Sequence, residues 1–257
     1  MIIWLASYPN SGNDFLRTLL SSYIFSKDGS FNEDVTQYID EFPNNSLFKK
    51  LGVDTNNVDE MNKNYINSQK ILNKKGSIMF LKTFSCFVHT DKFKFTDRHN
   101  TLGVIYIVRD PRDIVFPLSQ SFQLSDEQSL HNLLSKTYLG KESQSHCTTY
   151  LSSWKDHYNS WKVFTRLNKY LLVKYEDLIK DTEKTFLNIL KFIAHLGRVK
   201  FTLDETKFNN VLKTTEKKKL IENELKKIDQ IGQKIKDKLE KELENEMKQL
   251  NYLEYKF

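Results

Sequence analysis

Four short apolar runs, separated by segments of helical periodicity, constrain the fold of this chain more than any other feature. The runs are rich in β-branched residues and cover Ile2–Ser7, Ile78–Thr83, Gly103–Arg109 and Tyr170–Tyr175. Runs of this kind are typical of strands buried on both faces of a parallel sheet. Helical patterns lie between and after them, over Asn13–Phe25, Pro111–Ser121, Ser125–Tyr138, Thr149–Leu167 and Thr182–Leu196. Strands that alternate with helices predict an α/β fold with an open, mainly parallel sheet flanked by helices.

Two segments depart from this alternation. Phe31–Lys75 is polar and rich in Asn and Lys, so we expect a helical or irregular excursion between the first two strands. Glu216–Leu250 spaces its apolar residues three and four apart, which predicts an amphipathic helix, or two helices hinged near Gly232. Neither segment marks a domain boundary. We therefore expect one domain over residues 1–257, with a helical C-terminal segment over 214–252.

The C-terminal amphipathic segment has two possible uses. It could cover the sheet of its own chain, or it could form a coiled coil in a homodimer, because charges fill the positions between its apolar residues. We favour the first use, since most amphipathic helices in globular proteins pack on their own core. The homodimer stays open as a partner prediction.

The charge of the chain argues against a nucleic-acid partner. The sequence has 39 Lys+Arg and 33 Asp+Glu, a net charge of +6. Residues 1–213 hold 28 of the basic and 23 of the acidic residues, so the excess is spread thinly and forms no phosphate-binding stripe.

Cysteine content and hydropathy bear on the compartment. Cys86 and Cys147 stand far apart, which indicates a reducing compartment and no zinc spacing. No apolar segment approaches the roughly 18 residues of a membrane span, and the first run lacks the basic start of a signal peptide. We expect a cytoplasmic protein with no metal and no membrane span.

The loop after the first run predicts an anion site. Pro9 and Gly12 shape a tight turn, and the helix that begins at Asn13 directs its free N–H groups and its positive dipole end at the loop. Arg109 ends the third run, and a guanidinium at a strand end suits bidentate capture of phosphate. A kinase-like nucleotide enzyme is a weaker alternative, because the Walker spacing and a Mg-binding Asp after a matching strand are both missing.

Together these segments resemble the sulfotransferases that use 3′-phosphoadenosine 5′-phosphosulfate (PAPS). Ser7–Arg17 is similar to the 5′-phosphosulfate loop of that family, and Val108–Asp113 to its 3′-phosphate strand and helix. Further similar segments are Lys82–Phe84, Ser153–Trp161, Tyr175–Leu178 and Met247–Leu253. The resemblance implies a P-loop-NTPase-like architecture. It also implies transfer of a sulfuryl group from PAPS to a hydroxyl or amine of a small-molecule or saccharide acceptor.

The resemblance also assigns the site by position. The positions implied to bind the donor are Asn10, Ser11, Gly12, Asn13, Asp14, Phe15 and Arg109. Lys82 occupies the position that would neutralise charge on the leaving phosphate, which makes it the implied catalytic residue.

Four positions differ from the family pattern. Asn10 replaces the loop lysine, Asp14 a hydroxyl residue, Phe84 the basic histidine, and Pro117 the serine partner of Arg109. We expect Asp14 to cap the N–H groups of its own helix and so compete with a donor phosphate. We also expect Pro117 to kink the helix that begins at Pro111. The late family loop that closes over the 3′-phosphate has no counterpart.

The resemblance therefore does not identify which residue removes the proton from the acceptor. His89, His157 and Asp14 are candidates, although a single His such as His157 is more often a structural hydrogen-bonding residue. A second hypothesis follows from the same losses: a non-catalytic family member that serves as a binding or assembly module.

Overall fold

The computed structural model describes residues 1–74, 76–88, 93–139, 147–213 and 231–253. Within this part of the chain the strands are β1 (Ile2–Ser7), β2 (Asp40–Glu41), β3 (Met79–Thr83), β4 (Thr101–Val108), β5 (Tyr138–Leu139), β6 (Thr149–Tyr150) and β7 (Tyr170–Lys174). Five of them form one sheet in the order β2-β3-β1-β4-β7, and every neighbouring pair is parallel. The predicted α/β class with a mainly parallel sheet is confirmed.

Helices cover both faces of this sheet. The α-helices are α1 (Asn13–Phe25), α2 (Glu33–Thr36), α3 (Asn45–Lys50), α4 (Val58–Lys63), α5 (Tyr65–Asn73), α6 (Val115–Phe122), α7 (Asp126–Leu134), α8 (Trp154–Trp161), α9 (Tyr175–Lys180), α10 (Thr182–Gly197), α11 (205–213), α12 (Gln233–Glu242) and α13 (Glu244–Gln249). Two 3-10 helices span Pro111–Asp113 and Lys162–Leu167. Alternate residues of β1 face opposite cores: Trp4 packs with α8 and the C-terminal helices, and Leu5 packs with α1 and α10.

The four predicted strands agree with the structure to within two residues at each end, and α1 begins and ends where the apolar spacing predicts. The excursion over Phe31–Lys75 holds four short helices, and it also holds a strand that the prediction missed. This strand, β2, has only two residues, both acidic, so no apolar run announces it. It pairs with the edge of the sheet at β3.

The prediction of one kinked helix over Pro111–Ser121 is wrong. The chain forms a 3-10 helix over Pro111–Asp113, and α6 begins only after Ile114. Pro117 is the third residue of α6, where the N–H that proline lacks would have no partner inside the helix. Proline is therefore tolerated there, and the break precedes it.

The single helix predicted over Thr149–Leu167 is also wrong. Thr149 and Tyr150 form β6, which pairs with β5 in an antiparallel hairpin. The helix over this region, α8, begins only after Ser153, whose hydroxyl accepts a hydrogen bond from the N–H of Asp156. The helix predicted over Ser125–Tyr138 is shorter than expected. It is α7, which ends at Leu134, because Tyr138 belongs to β5 of the same hairpin.

The C-terminal helices pack on their own chain. α12 begins after Gly232, and α13 follows a break at Leu243. Leu239, Leu243 and Met247 are buried in the same core as Trp4, so this part of the apolar stripe covers the chain itself. The stripe upstream of Ile231 lies outside the described residues, and the coiled-coil homodimer stays a prediction.

The structure bears on two expectations, which concern the cysteines and membrane spans. Cys86 and Cys147 are both buried free thiols. Across the described ranges, no helix combines the length and the apolar character that crossing a bilayer requires. The cytoplasmic location and the single domain remain predictions.

Candidate functional site

A cavity of about 680 Å³ opens at the carboxyl end of the sheet, beyond the ends of β1 and β4. Ligands of open α/β sheets bind at this edge, because the loops after the strands diverge there. Six of the sequence-predicted donor residues line it: Asn10, Gly12, Asn13, Asp14, Phe15 and Arg109. The structure therefore brings the implied donor site together in one place.

The loop after β1 takes a conformation that requires glycine at one position. Gly12 has φ +93°, in the left-handed region, and immediately precedes α1. A Cβ at this position would overlap the ring of Tyr175. Asn10 is also left-handed, with φ 59°, a conformation that asparagine tolerates better than most residues. The loop thus approaches the aromatic ring with no side chain between them.

The start of α1 has no side-chain cap, so the prediction that Asp14 caps its own helix is wrong. The N–H groups of the first turn of a helix lack partners inside the helix, and they attract an anion. Two loop side chains carry buried polar atoms without a hydrogen-bond partner, Asn10 Nδ2 and Ser11 Oγ. These atoms are suited to hydrogen-bond an anion held by the loop.

The Asn13 side chain bonds to two residues of β1. Its side chain is almost fully buried, and Nδ2 donates to the carbonyl of Leu5 at 2.9 Å and to the hydroxyl of Ser7 at 3.0 Å. Asn13 therefore joins α1 to the end of β1, and it positions the loop by holding both of its ends.

Arg109 stands at the end of β4 on the other side of the loop. Its Nη1 donates to the carbonyl of Asn10 at 3.0 Å, and its guanidinium lies 4.4 Å from the centroid of the Tyr175 ring. Tyr175 thus packs against both Gly12 and Arg109. It fixes the spacing between the two halves of the cavity wall.

A second arginine lines the cavity but is balanced by carboxylates. Arg112 binds Asp110 and Glu240, each with a shortest N–O distance of 2.6 Å, and these hydrogen bonds raise the pKa of Arg112. Its Nη2 also donates to the carbonyl of Tyr252 at 2.8 Å. Arg112 therefore ties the C-terminal segment to the strand end that carries Arg109.

Glu176 strengthens the same junction. Its carboxylate accepts from the N–H of Asp110 at 3.0 Å and from the hydroxyl of Tyr252 at 2.9 Å. Burial raises the pKa of Glu176. Glu176 therefore joins the residue after Arg109 to the C-terminal Tyr252.

Lys82 lies at the opposite end of the site, on β3, and is enclosed. Its side chain is 6% exposed, and Nζ lies 2.8 Å from Asp14 Oδ1 and 3.6 Å from Glu41 Oε2. The same ammonium lies 4.4 Å from the centroid of the Phe84 ring. Two carboxylates therefore surround one cation before any ligand binds.

Glu41 is the site residue that sequence reasoning missed. It reaches Lys82 because β2 pairs with β3 in the register that sets Glu41 beside Lys82. A two-residue acidic strand inside a polar segment carries no periodic signal.

Of the two histidines considered as the catalytic base, the structure describes His157. His157 is fully buried: Nε2 lies 3.0 Å from the carbonyl of Phe84, and Nδ1 lies 2.8 Å from the hydroxyl of Tyr106. Because a carbonyl only accepts, Nε2 holds the proton, and Nδ1 accepts from the tyrosine. Burial lowers the pKa of His157 to about 4. His157 is a neutral structural bridge, and His89 lies outside the described residues.

Metal ligation has no support in the part of the chain that the structure describes. No group of three or more His, Cys, Asp or Glu side chains there is arranged to hold a metal ion.

The parallel sheet, the anion loop at its carboxyl edge and the facing arginine define a P-loop-like sulfotransferase fold. Comparison with known protein families agrees, because the family model for the sulfotransferase domain matches residues 2–252. The chain belongs to the sulfotransferase family.

Two relatives illustrate the distance within the family. Human Sulfotransferase 2A1 is 30% identical over 123 residues, which cover 48% of this chain and 40% of that protein. The crystal structure of mouse sulfotransferase SULT7A1 complexed with PAP gives a TM-score of 0.50 at 17% identity, and covers 83% of this chain and 63% of that one. The chain spans less than two thirds of the length of either relative, and the structural likeness supports the fold.

Proposed function

We propose that this protein binds PAPS and transfers its sulfuryl group to a hydroxyl or amine of a small-molecule or saccharide acceptor. One observation supports the proposal above others: in a chain of the sulfotransferase family, the anion loop and Arg109 face one cavity at the carboxyl edge of the sheet. The loop carries no lysine, so backbone N–H groups and neutral side chains would hold the 5′-phosphate.

The residues present fit such a donor. Ser11 Oγ and Asn10 Nδ2 are buried polar atoms that need a partner, and an unmade hydrogen bond of this kind costs about 1–3 kcal/mol. The absence of a side chain at Gly12 keeps the backbone open to a phosphate. Arg109 would hold the 3′-phosphate, and Phe15 lines the same cavity.

When bound, PAPS supplies a sulfuryl group: a bond forms between sulfur and the acceptor atom, the bond between sulfur and the 5′-phosphate oxygen breaks, and the acceptor loses a proton. Lys82 would stabilise the charge on the departing phosphate once its ammonium is released from Asp14. Phe84 takes no proton and His157 is committed to structural bonds. Among the described residues, the acceptor proton would therefore pass to a carboxylate at the cavity, such as Asp14, or to solvent.

Thermal unfolding with 3′-phosphoadenosine 5′-phosphate (PAP) tests the donor assignment. At a PAP concentration a hundredfold above its dissociation constant, the stabilisation should be about 2.7 kcal/mol. The variant Arg109→Met should lose most of this shift. A wild-type protein that shows no shift at millimolar PAP would contradict the proposal. Radiolabelled PAPS with a panel of hydroxyl and amine acceptors then tests transfer.

A second candidate, a non-catalytic binding or assembly module, is favoured by one specific observation. Lys82 is occupied by Asp14, and the usual base position is Phe84. The double variant Asn10→Lys with Phe84→His separates the two candidates. An enzyme with a weakened site should gain donor turnover from these side chains, whereas a module that lost the rest of the machinery should show none.

A further inference from the structure

Asp14 stands between the ammonium of Lys82 and the cavity. The side chain of Asp14 is 72% exposed and lines the cavity, whereas that of Lys82 is 6% exposed. The ring of Phe84 lies over the same ammonium and also lines the cavity. A ligand that enters the cavity therefore meets a carboxylate and a phenyl ring before it meets the cation.

The charges at this end oppose a phosphate. Lys82 supplies one positive charge, and Asp14 and Glu41 supply two negative charges within 3.6 Å of its Nζ. Asp14 is also the second residue of α1, so a phosphate held by the first turn of that helix comes close to its carboxylate. Like charges at such distances repel even when solvent screens them.

Arg109 is placed differently at the other end of the site. It lines the cavity directly, donates to the carbonyl of Asn10 and lies over the ring of Tyr175. The two ends therefore differ in how directly a phosphate in the cavity can reach the cation.

We propose that Asp14 lowers the affinity of this site for the 5′-phosphate end of the donor. It acts as a built-in counter-ion for Lys82 that weakens binding of the 5′-phosphate and leaves binding of the 3′-phosphate unaffected. This inference rests on the proposed function. An ion pair with one exposed partner is weak, so a phosphate can displace Asp14 from Lys82, but at a cost in affinity. Removing the charge of Asp14 should strengthen PAP binding by about tenfold, since both the competing pair and the repulsion disappear.

Calorimetric titration with two ligands tests this inference. PAP carries both phosphates, and adenosine 3′-phosphate lacks the one at the 5′ position. Asp14→Asn and Asp14→Thr should each bind PAP about tenfold more tightly than the wild type, with less than a twofold change for adenosine 3′-phosphate. Asp113→Asn is the matched control, because it removes a carboxylate from the Arg109 side of the same cavity and should change both affinities alike.

A double variant shows whether the effect passes through Lys82. With Lys82→Met already present, the gain from Asp14→Asn should shrink to about threefold or less, because only the repulsion remains to be removed.

Each contrary result has a distinct meaning. Unchanged or weaker PAP binding by both Asp14 variants, beside a wild type that binds PAP, would overturn the role of Asp14 alone. An Asp14 variant that binds PAP with unchanged affinity but no longer transfers the sulfuryl group would identify Asp14 as the proton acceptor. That result would also overturn the proposed role of Asp14. Absence of PAP binding in every protein would remove the proposed donor, and this inference with it.

Discussion

The two ends of the cavity each carry a cation at the end of a strand, but only one of these two cations lines the cavity. Arg109 follows β4, stacks on Tyr175 and lines the cavity. Lys82 belongs to β3, on the other side of β1, and is shielded by Asp14 and Phe84. A retained cation is therefore not enough to make an anion site. What surrounds its charged group decides whether a ligand can use it.

Residues from other segments support each end of the cavity. The Arg109 end is held by Tyr175 and by the C-terminal segment, which docks through Arg112 and Tyr252. The Lys82 end is held from behind by His157, which bonds the carbonyl of Phe84. Hydrogen bonds from other segments support both ends, so the difference between them lies in how each cation is placed toward the cavity. The following predictions test this contrast, from the largest expected effect to the smallest.

Gly12→Ala should disrupt the close contact between the loop after β1 and the ring of Tyr175. The added Cβ overlaps the Tyr175 ring at a positive φ, which should lower the free energy of unfolding by about 3 kcal/mol or more. Gly52→Ala is the matched control, because Gly52 has φ +72° with nothing within 4 Å of the added Cβ. It should cost only about 1 kcal/mol. Urea unfolding of both variants measures the difference, and equal losses would show that the Tyr175 contact is unimportant.

Arg109→Met should remove most nucleotide affinity. A charged hydrogen bond to a phosphate contributes about 1.5–3 kcal/mol, so PAP should bind roughly ten- to a hundredfold more weakly. Calorimetric titration measures this change, with Arg166→Met as a control outside the cavity lining. Equal affinities for the wild type and Arg109→Met would place the phosphate elsewhere.

Stability should fall in mild acid because of His157. Its pKa is about 4 in the folded protein and about 6.5 when unfolded, so below pH 6.5 the unfolded state binds a proton that the folded state refuses. The contribution is complete above pH 6.5 and is lost as pH falls toward 4. Between pH 7 and pH 5 it should lower the free energy of unfolding by about 2 kcal/mol.

The variant His157→Gln provides the comparison for this pH effect. Glutamine keeps a donor and an acceptor but does not titrate, so its stability should fall less over the same interval. Because other groups titrate alike in both proteins, denaturant unfolding at the two pH values isolates His157. Parallel curves for the two proteins would mean that His157 is not buried in its neutral form.

Lys82→Met should have the smallest effect on binding. Since Asp14 and Glu41 already neutralise the ammonium, PAP affinity should change by less than about threefold. Sulfuryl transfer should nevertheless be lost, because the departing phosphate then has no cation. A large loss of PAP affinity on titration would show that Lys82 is already available in the wild type.

The sequence predicted the parts of this molecule that have a local signature. Short apolar runs marked the four main strands. β1 and most of β4 are buried on both faces, which leaves little room for polar residues. The loop after β1 and the arginine after β4 were visible for a related reason: strand ends of a parallel sheet meet at one edge, so both were expected at one site.

The missed features depend on pairing between distant segments. β2 and its Glu41 have no periodicity, and their position follows from pairing with β3. The ion pair between Asp14 and Lys82 joins residues 68 positions apart, and it replaced the predicted helix cap. The β5–β6 hairpin likewise interrupts what local spacing presents as helix. Charge balance at the site was therefore the least predictable property, since it is set by these distant contacts.

A crystal structure of this protein with PAP tests the central claim most directly. We predict the 3′-phosphate on the guanidinium of Arg109, the 5′-phosphate on the N–H groups after Gly12, and the Asp14 carboxylate turned away from Lys82. A nucleotide bound outside this cavity, or a 5′-phosphate bound at Arg109, would contradict the account.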